Sequence, residues 1–372
     1  MCGIYITNIP FAEQEIKTKL EAIQFRGPDY TGIQKIDDII MGHLRLSILD
    51  LDVRSHQPMG FENFTIVFNG EIYNFEEIKN DLIALGYAFQ TTGDTEVLLK
   101  GYKEWGTEIV AKLNGMFAFA IYNSVTKKVF CARDRFGVKP FYYSWIEGRF
   151  EICSQLRPIS QNKVINEEAV AMFLDCTYIP SPYTIYQDVY KLPPGNVLEI
   201  DLNTNQLVIQ EFWNLQEVTT SSLSYEEAKK QVHDLLTDAV KLRLQADVPF
   251  GSFLSGGIDS ALVSSIAAKI SKEPVKTFSI GFEDPKYDES KIAAEYSKII
   301  RSNHTEIICK PEDILEMLPK LIEVYDEPFG DSSALPSLLL NKVTKQYVTM
   351  ALSGDGGDES FLGYNHFDWV AK

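Results

Sequence analysis

The 372-residue chain contains no apolar run approaching the ~20 residues of a membrane span. Its first residues, Met1-Cys2-Gly3-Ile4-Tyr5-Ile6, lack the basic region and long apolar segment of a secretory signal. A cytoplasmic protein is therefore expected. Positive charge is scarce: 35 Lys and Arg stand against 52 Asp and Glu, for a net charge of −17. Nucleic acid and anionic membranes need a basic footprint, so neither is expected as the main partner. A few local cations could still hold a small anionic substrate. The five cysteines, Cys2, Cys131, Cys153, Cys176 and Cys309, are scattered, odd in number and free of any C-x-x-C pair. Neither a disulfide framework nor a zinc site is indicated. The P-loop pattern G-x-x-x-x-G-K-[ST] is absent, as are internal repeats and low-complexity tracts.

What is present is ordinary for a globular protein, with 45% apolar and 23% charged residues. The length favours two domains. In the first half, short β-branched or aromatic runs dominate: Ile4–Thr7, Ile39–Leu46, Phe64–Phe68, Phe117–Tyr122, Val129–Ala132 and Phe141–Trp145. Asn123–Lys128 reads as a hairpin loop. One helix is expected to be capped at Asn74 and stopped by Gly86, and another to run from Thr95 to near Gly106. The pattern predicts an α+β layered domain with mostly antiparallel strands. Residues from about 160 to 212 are mixed, with a short helix from Asn166 and turns at Ile179–Pro182 and Leu192–Gly195. They read as the junction that ends a domain spanning 2–212.

From 224 to 372 strands alternate with helices, which predicts an α/β domain built on a parallel sheet. Ser224-Tyr225-Glu226-Glu227 is a capping box that opens the first helix. Strands are expected at 248–254, 275–280, 306–309 and 347–352, and helices at 260–270, 289–300 and 312–325. Ligands bind at the carboxyl ends of such strands.

Ser255-Gly256-Gly257-Ile258-Asp259-Ser260 occupies one such end. Gly256 and Gly257 allow close approach of backbone to ligand, and the N–H groups that open the next helix form an anion site. Ser255 and Ser260 add hydroxyls. Asp259 fits beside a phosphate if a divalent cation such as Mg²⁺ lies between them. These six residues would equally serve an ordinary strand-to-helix turn. A second turn, Ser353-Gly354-Asp355-Gly356-Gly357-Asp358-Glu359, places three acids in five positions among glycines. Two glycine-acid turns on one sheet point to nucleotide chemistry. At the other end of the chain, Cys2 directly follows Met1. Trimming of Met1 would leave a free amine beside the thiol, and that amine could act as the base for the thiol. Alone, Cys2 would read as a buried apolar thiol; the neighbouring motifs reverse that reading.

Longer motifs carry a resemblance. Ser255–Ser260 resembles the pyrophosphate loop of ATP pyrophosphatases. Together with Thr277–Phe282, Asp326-Glu327-Pro328-Phe329 and Ala351–Glu359, it resembles the glutamine-hydrolysing asparagine synthetases. Cys2-Gly3-Ile4, Arg26-Gly27-Pro28-Asp29, Gly42–Ile48, Phe68–Asn74 and Gly93-Asp94-Thr95-Glu96 resemble class II glutamine amidotransferases, which are N-terminal-nucleophile enzymes. Arg133–Pro140 also matches and is expected to be structural.

The resemblance implies a role for each matching residue. Cys2 would attack the glutamine amide, with Asn69 and Gly70 as oxyanion hole. Arg45 would hold the glutamine carboxylate, and Glu71 and Asp94 its ammonium. Ser255, Gly256, Gly257, Asp259 and Ser260 would hold pyrophosphate, and Asp259 and Asp358 would hold Mg²⁺. Ile280, Ser353 and Gly354 would line the adenosine pocket of ATP. Asp355 would serve acyl-adenylate formation where many members carry Glu. The implied reaction is amidation of aspartate to asparagine with L-glutamine and ATP, through β-aspartyl-AMP. Another carboxylate such as a sugar uronic acid, or a catalytically inactive glutamine and nucleotide sensor, are the alternatives. A homodimer is among the assemblies allowed.

Two departures stand out. Phe25 replaces a common His, and Ser154-Gln155-Leu156-Arg157 replaces Ser-Glu-Ile-Lys where the domains are expected to meet. The family also continues past Asn365–Lys372, which stops in mid-pattern. A truncated synthetase domain beside an intact glutaminase is therefore expected.

Overall fold

The computed structural model describes residues 1–160, 163–217, 219–364 and 367. Except for Phe367, the terminal stretch Asn365–Lys372 lies outside them. The chain forms two compact units, Met1–Thr219 with Tyr325–Gly330, and Thr220–Val324 with Asp331–Lys372.

The first unit contains two six-stranded antiparallel sheets. One runs in the order Val189–Lys191, Tyr142–Ile146, Arg149–Cys153, Gly3–Thr7, Ile39–Arg45, Tyr30–Ile36. The other runs Gln206–Glu211, Asn196–Asp201, Lys128–Arg133, Gly115–Asn123, Phe64–Ile72, Met59–Phe61. Their inner faces share one core: Ile4, Ile6 and Met41 from the first meet Val67, Ala118, Ala120 and Cys131 from the second. The alternate residues point outward. Phe68, Phe117, Phe119 and Phe130 pack under helices Phe75–Ala84 and Asp94–Trp105. Tyr5, Ile40 and Leu44 pack under helix Glu13–Glu21 and Ala169 of helix Glu167–Cys176. The unit is thus layered helix, sheet, sheet, helix. Strands buried on both faces read as continuous apolar runs rather than alternating ones, as seen in Phe117-Ala118-Phe119-Ala120-Ile121.

The structure extends and corrects the sequence expectations. The hairpin loop lies where expected, between strands ending at Asn123 and starting at Lys128, and Asn123 Oδ1 accepts from Val125 N at 3.0 Å and Thr126 N at 3.1 Å. Asn74 precedes its helix but does not cap it. Its Oδ1 accepts from Asn114 N at 2.8 Å and its Nδ2 donates to Lys112 O at 3.0 Å, so a long-range loop contact displaces the cap. The 160–212 stretch is more than a junction, because its three strands complete the edges of both sheets. They are short and separated by Pro- and Gly-bearing turns, including Gly195 at φ 67°, which hid them from periodicity.

The second unit has a four-stranded parallel sheet in the order Asn303–Cys309, Lys276–Phe282, Phe250–Phe253, Met350–Leu352. Helices Tyr225–Arg243, Ile258–Ile270, Ser290–Ile300 and Pro311–Val324 accompany it. The Ser224 capping box is present, with Ser224 N donating to Glu227 Oε2 at 3.0 Å. Helix Ala334–Thr344 was not anticipated. Pro336 falls in its first turn, where a missing N–H is tolerated. The parallel α/β reading holds.

Phe119 is fully buried between sheet and helices. Phe119→Ala is expected to destabilise the first unit by ~3–5 kcal/mol in urea denaturation. Leu174→Ala, at a side chain 74% exposed, should stay within ~0.5 kcal/mol.

Candidate functional site

Cys2 precedes strand Gly3–Thr7, in which every residue is buried. Leu46 N donates to its sulfur at 3.4 Å, and Arg26 Nε donates to its carbonyl at 3.0 Å. Burial raises the thiol pKa above the ordinary value, opposed by the adjacent ammonium and the Leu46 N–H. Burial lowers the Met1 amine to about 5, with Cys2 opposing and Lys139 and Arg26 adding to the shift.

A cleft opens beside the thiol, lined by Cys2, Arg45, Leu46, Gly70, Glu71, Gly93 and Asp94. The sequence places these residues far apart, and the strand pairings bring them together. Asn69 is wholly buried, and neither its Oδ1 nor its Nδ2 has a hydrogen-bond partner among the described residues. A buried amide with no partner is a rare cost that a ligand could offset. At Gly70 an added Cβ would lie 2.3 Å from Met116 O, so only glycine fits.

Glu71 and Asp94 form a carboxyl pair at the cleft. Burial, then Asp94, raises Glu71 well above its usual value, and burial raises Asp94 to about 6. Asp94 Oδ2 also accepts from Ile72 N at 2.9 Å. Two buried carboxyls resist ionising together unless a cation joins them. Arg45 lines the same cleft, but much of its guanidinium shapes the neighbouring loop. It donates to Asp52 O at 2.9 Å, to Leu49 O at 3.3 Å and to Asp50 O. Among the described residues no partner takes its Nε–H or its second Nη1–H, which stay available for a carboxylate.

Sequence reasoning missed Lys139, which is only 4% exposed. Burial lowers its pKa to about 8, and it lies within electrostatic range of Arg26, Glu71 and Cys2. Asp134 builds the loop that carries it, accepting from Phe117 N at 3.2 Å, Phe136 N at 3.1 Å, Val138 N at 2.9 Å and Lys139 N at 2.9 Å. The available signal was a lysine closing a glycine turn between apolar strands.

In the second unit the Ser255 turn leads into helix Ile258–Ile270. Ser255 N donates to Ser260 Oγ at 3.1 Å, and Gly257 N donates to Ser255 Oγ at 3.1 Å. The Ser353 turn abuts it. A Cβ at Gly354 would stand 2.7 Å from Ser260 N, and one at Gly357 would stand 2.4 Å from Asp259 Oδ2. Close approach, rather than turn geometry alone, therefore requires both glycines. Burial raises the Asp259 pKa, with Asp358 and Glu359 adding to it. Ser353 Oγ donates to the exposed Asp355 at 2.9 Å. Ile280 and Ser255 line an apolar cleft with Phe278 and Tyr287. Glu289, which the sequence did not single out, accepts from Gly256 N at 3.2 Å. Among the described residues no group of three His, Cys, Asp or Glu forms a metal site. Two mutually repelling carboxylates, Asp259 and Asp358, nevertheless fit Mg²⁺, which keeps waters and substrate oxygens in its shell.

Residues 1–213 match the family model of the glutamine amidotransferase domain, and residues 231–371 match that of asparagine synthase. A putative glutamine-hydrolysing asparagine synthetase of Methanocaldococcus jannaschii is 39% identical over 98% of this chain and 76% of its own length. The chain belongs to the glutamine-hydrolysing asparagine synthetase family. A Bacillus subtilis asparagine synthetase is 37% identical over 95% of this chain, and a Mycobacterium bovis relative is 31% identical over 92%. The chain spans 56% and 55% of those two proteins, little more than half of their length. The family's two-part architecture agrees with the layered antiparallel unit and the parallel α/β unit.

Buried Asp94 makes the stability of the first unit depend on pH. Its folded pKa of about 6 exceeds the ordinary value of ~3.9 expected on unfolding. Its stabilising effect is therefore complete below the unfolded value and lost as pH rises through about 6. Asp94→Asn should match wild type in urea midpoint at low pH and exceed it by pH 7. A difference that is constant with pH would contradict the assignment.

Proposed function

We propose that this chain releases ammonia from L-glutamine at Cys2 and uses it to amidate a carboxylate activated by ATP. Aspartate giving asparagine is the favoured pair. In this reading an amidotransferase domain spans 2–212 and a synthetase domain spans 224–372. The observation that carries it is one cleft holding the Cys2 thiol, the Glu71–Asp94 carboxyl pair and Arg45; the Asn69 amide, next in chain to the cleft residue Gly70, has no partner among the described residues.

The chemistry follows from those groups. Once Met1 is removed, the Cys2 amine takes the thiol proton as sulfur attacks the glutamine amide carbon. Asn69 Nδ2 and the Gly70 N–H stabilise the resulting oxyanion. The amine returns the proton to the leaving nitrogen, and ammonia departs. Water then hydrolyses the thioester to glutamate. The ammonium of bound glutamine relieves the repulsion between Glu71 and Asp94, and its carboxylate meets the remaining Arg45 donors.

In the second unit the Ser255–Ser260 turn takes the pyrophosphate of ATP. Ile280 and its apolar cleft take the adenosine; Ser353 and Gly354, expected to share that pocket, do not line this cleft. Asp259 and Asp358 would hold Mg²⁺, which supplies positive charge against the phosphates. A carboxylate oxygen attacks the α-phosphate and pyrophosphate leaves. Ammonia then attacks the acyl carbon and AMP leaves. Asp355, in the Ser353–Glu359 turn, assists formation of the acyl-adenylate. All five cysteines are free, which suits a reducing compartment and supports a cytoplasmic placement.

Cys2→Ala should abolish glutamate release from glutamine. Asn69→Ala should lower kcat by about 10²–10³-fold with little change in KM. No release by mature wild-type protein would favour a binding or sensor role. Asp259→Asn should abolish ATP–pyrophosphate exchange and spare glutamate release, and equal loss of both activities would sink the two-site assignment. Exchange dependent on a uronic acid rather than aspartate would reassign the acceptor.

A further inference from the structure

The residues Tyr325–Gly330 lie in sequence between helices Pro311–Val324 and Ala334–Thr344, yet they belong to the first unit. The contacts there are specific. The Asp326 side chain is 6% exposed, and its Oδ2 accepts from Arg157 N at 3.0 Å. Leu156 N also donates to it, and Arg157 Nε stands 3.4 Å from Oδ1. Glu327 pairs with Lys191, both side chains being 14% exposed, and accepts from Ile185 N at 3.3 Å. Gly330 N donates to Thr177 O at 2.7 Å, and a Cβ at Gly330 would stand 2.8 Å from Thr177 Cβ.

The turn held by Asp326 leads directly to the nucleophile. Ser154–Arg157 follows strand Arg149–Cys153. Ile4 N donates to Ser154 Oγ at 3.0 Å, and Ser154 N donates to Ile4 O at 3.1 Å. Ile4 is two residues from Cys2. A second route runs through Arg26, which feels the charge of Asp326 and whose Nε holds the Cys2 carbonyl. Arg26 is 8% exposed, and its Nη2 has no hydrogen-bond partner among the described residues, so Asp326 is one of several groups whose negative charge favours this buried cation.

We propose that Tyr325–Gly330 is a positioning element for glutamine hydrolysis, with Asp326 setting the placement of Cys2 through the Ser154 turn and Arg26. The proposal rests on the reading of Cys2 as nucleophile. It makes the amidotransferase site dependent on residues from beyond position 324. Small displacements matter here, because a shift of about 1 Å in a reacting group can cost ~10²-fold in rate.

The test uses the full chain with Asp326→Asn, Ser154→Ala, their double variant, and Glu323→Gln as an exposed control of equal charge change. Glutamate release gives kcat and KM. Alkylation by iodoacetamide, quantified on the Cys2 peptide by mass spectrometry, reads the thiol independently of turnover. Asp326→Asn should lower kcat by about tenfold with KM within about twofold and change the Cys2 alkylation rate, with an unaltered far-ultraviolet spectrum. Ser154→Ala should do the same, and the double variant should be no worse than either single one. Wild-type kcat and alkylation in Asp326→Asn, or single effects that multiply, would overturn the proposal. Should Asp326→Asn fail to fold, Glu327→Gln serves in its place: loss of kcat supports the role, and unchanged kcat and alkylation refute it. If wild type releases no glutamate, the nucleophile reading fails, whereas the alkylation comparison still decides the effect of Asp326 on Cys2.

Discussion

Strand Gly3–Thr7 is buried on both faces and paired on both edges, and Cys2 is the next residue in the chain. That constraint organises the first unit. Ile4 and Ile6 enter the core between the sheets, and Tyr5 enters the core beneath the helices. A one-residue slip would exchange these faces and is strongly disfavoured. The thiol therefore inherits the rigidity of the sheet, and its neighbours from Arg45, Gly70 and Glu71 arrive on paired strands whose register is equally set. Placement on rigid elements is what a reacting group needs.

The same burial makes the site electrically uncomfortable. Glu71, Asp94, Arg26 and Lys139 are all withdrawn from water, and each pKa moves toward its neutral form. Asn69 has no hydrogen-bond partner among the described residues. Structural burial normally satisfies polar groups. In the proposed reaction, glutamine would bring an ammonium to this carboxyl pair, whose repulsion Lys139 only partly offsets, and an oxyanion to the Asn69 amide. The second unit solves a different problem with different means. Gly354 and Gly357 let two acidic turns come into contact, and Asp358 and Glu359 add to the rise that burial imposes on Asp259.

Much of this was legible in residue order. Apolar runs marked the central strands, the alternation of strands and helices marked the parallel sheet, and the motifs around Cys2, Asn69, Ser255 and Ser353 marked both candidate sites. Other features failed for physical reasons. The edge strands within 189–211 are too short to show a period. Asn74 has a capping residue's chemistry, yet a loop forty residues away takes both ends of its amide. Lys139 was read as structural because nothing local shows that Asp134 gathers four backbone N–H groups and directs the loop inward.

Local chemistry by itself determined which residue types stand at which strand ends, that two glycine-acid turns share one sheet, and that a thiol lies next to the chain's first residue. It did so because propensity, periodicity and short motifs act over a few residues. Only the tertiary structure decided that Asn69 has no hydrogen-bond partner among the described residues, that Glu71 and Asp94 oppose each other, and that Asp326 belongs with the first unit. Each of these depends on contacts between residues far apart in sequence, with burial removing the water that would otherwise satisfy them.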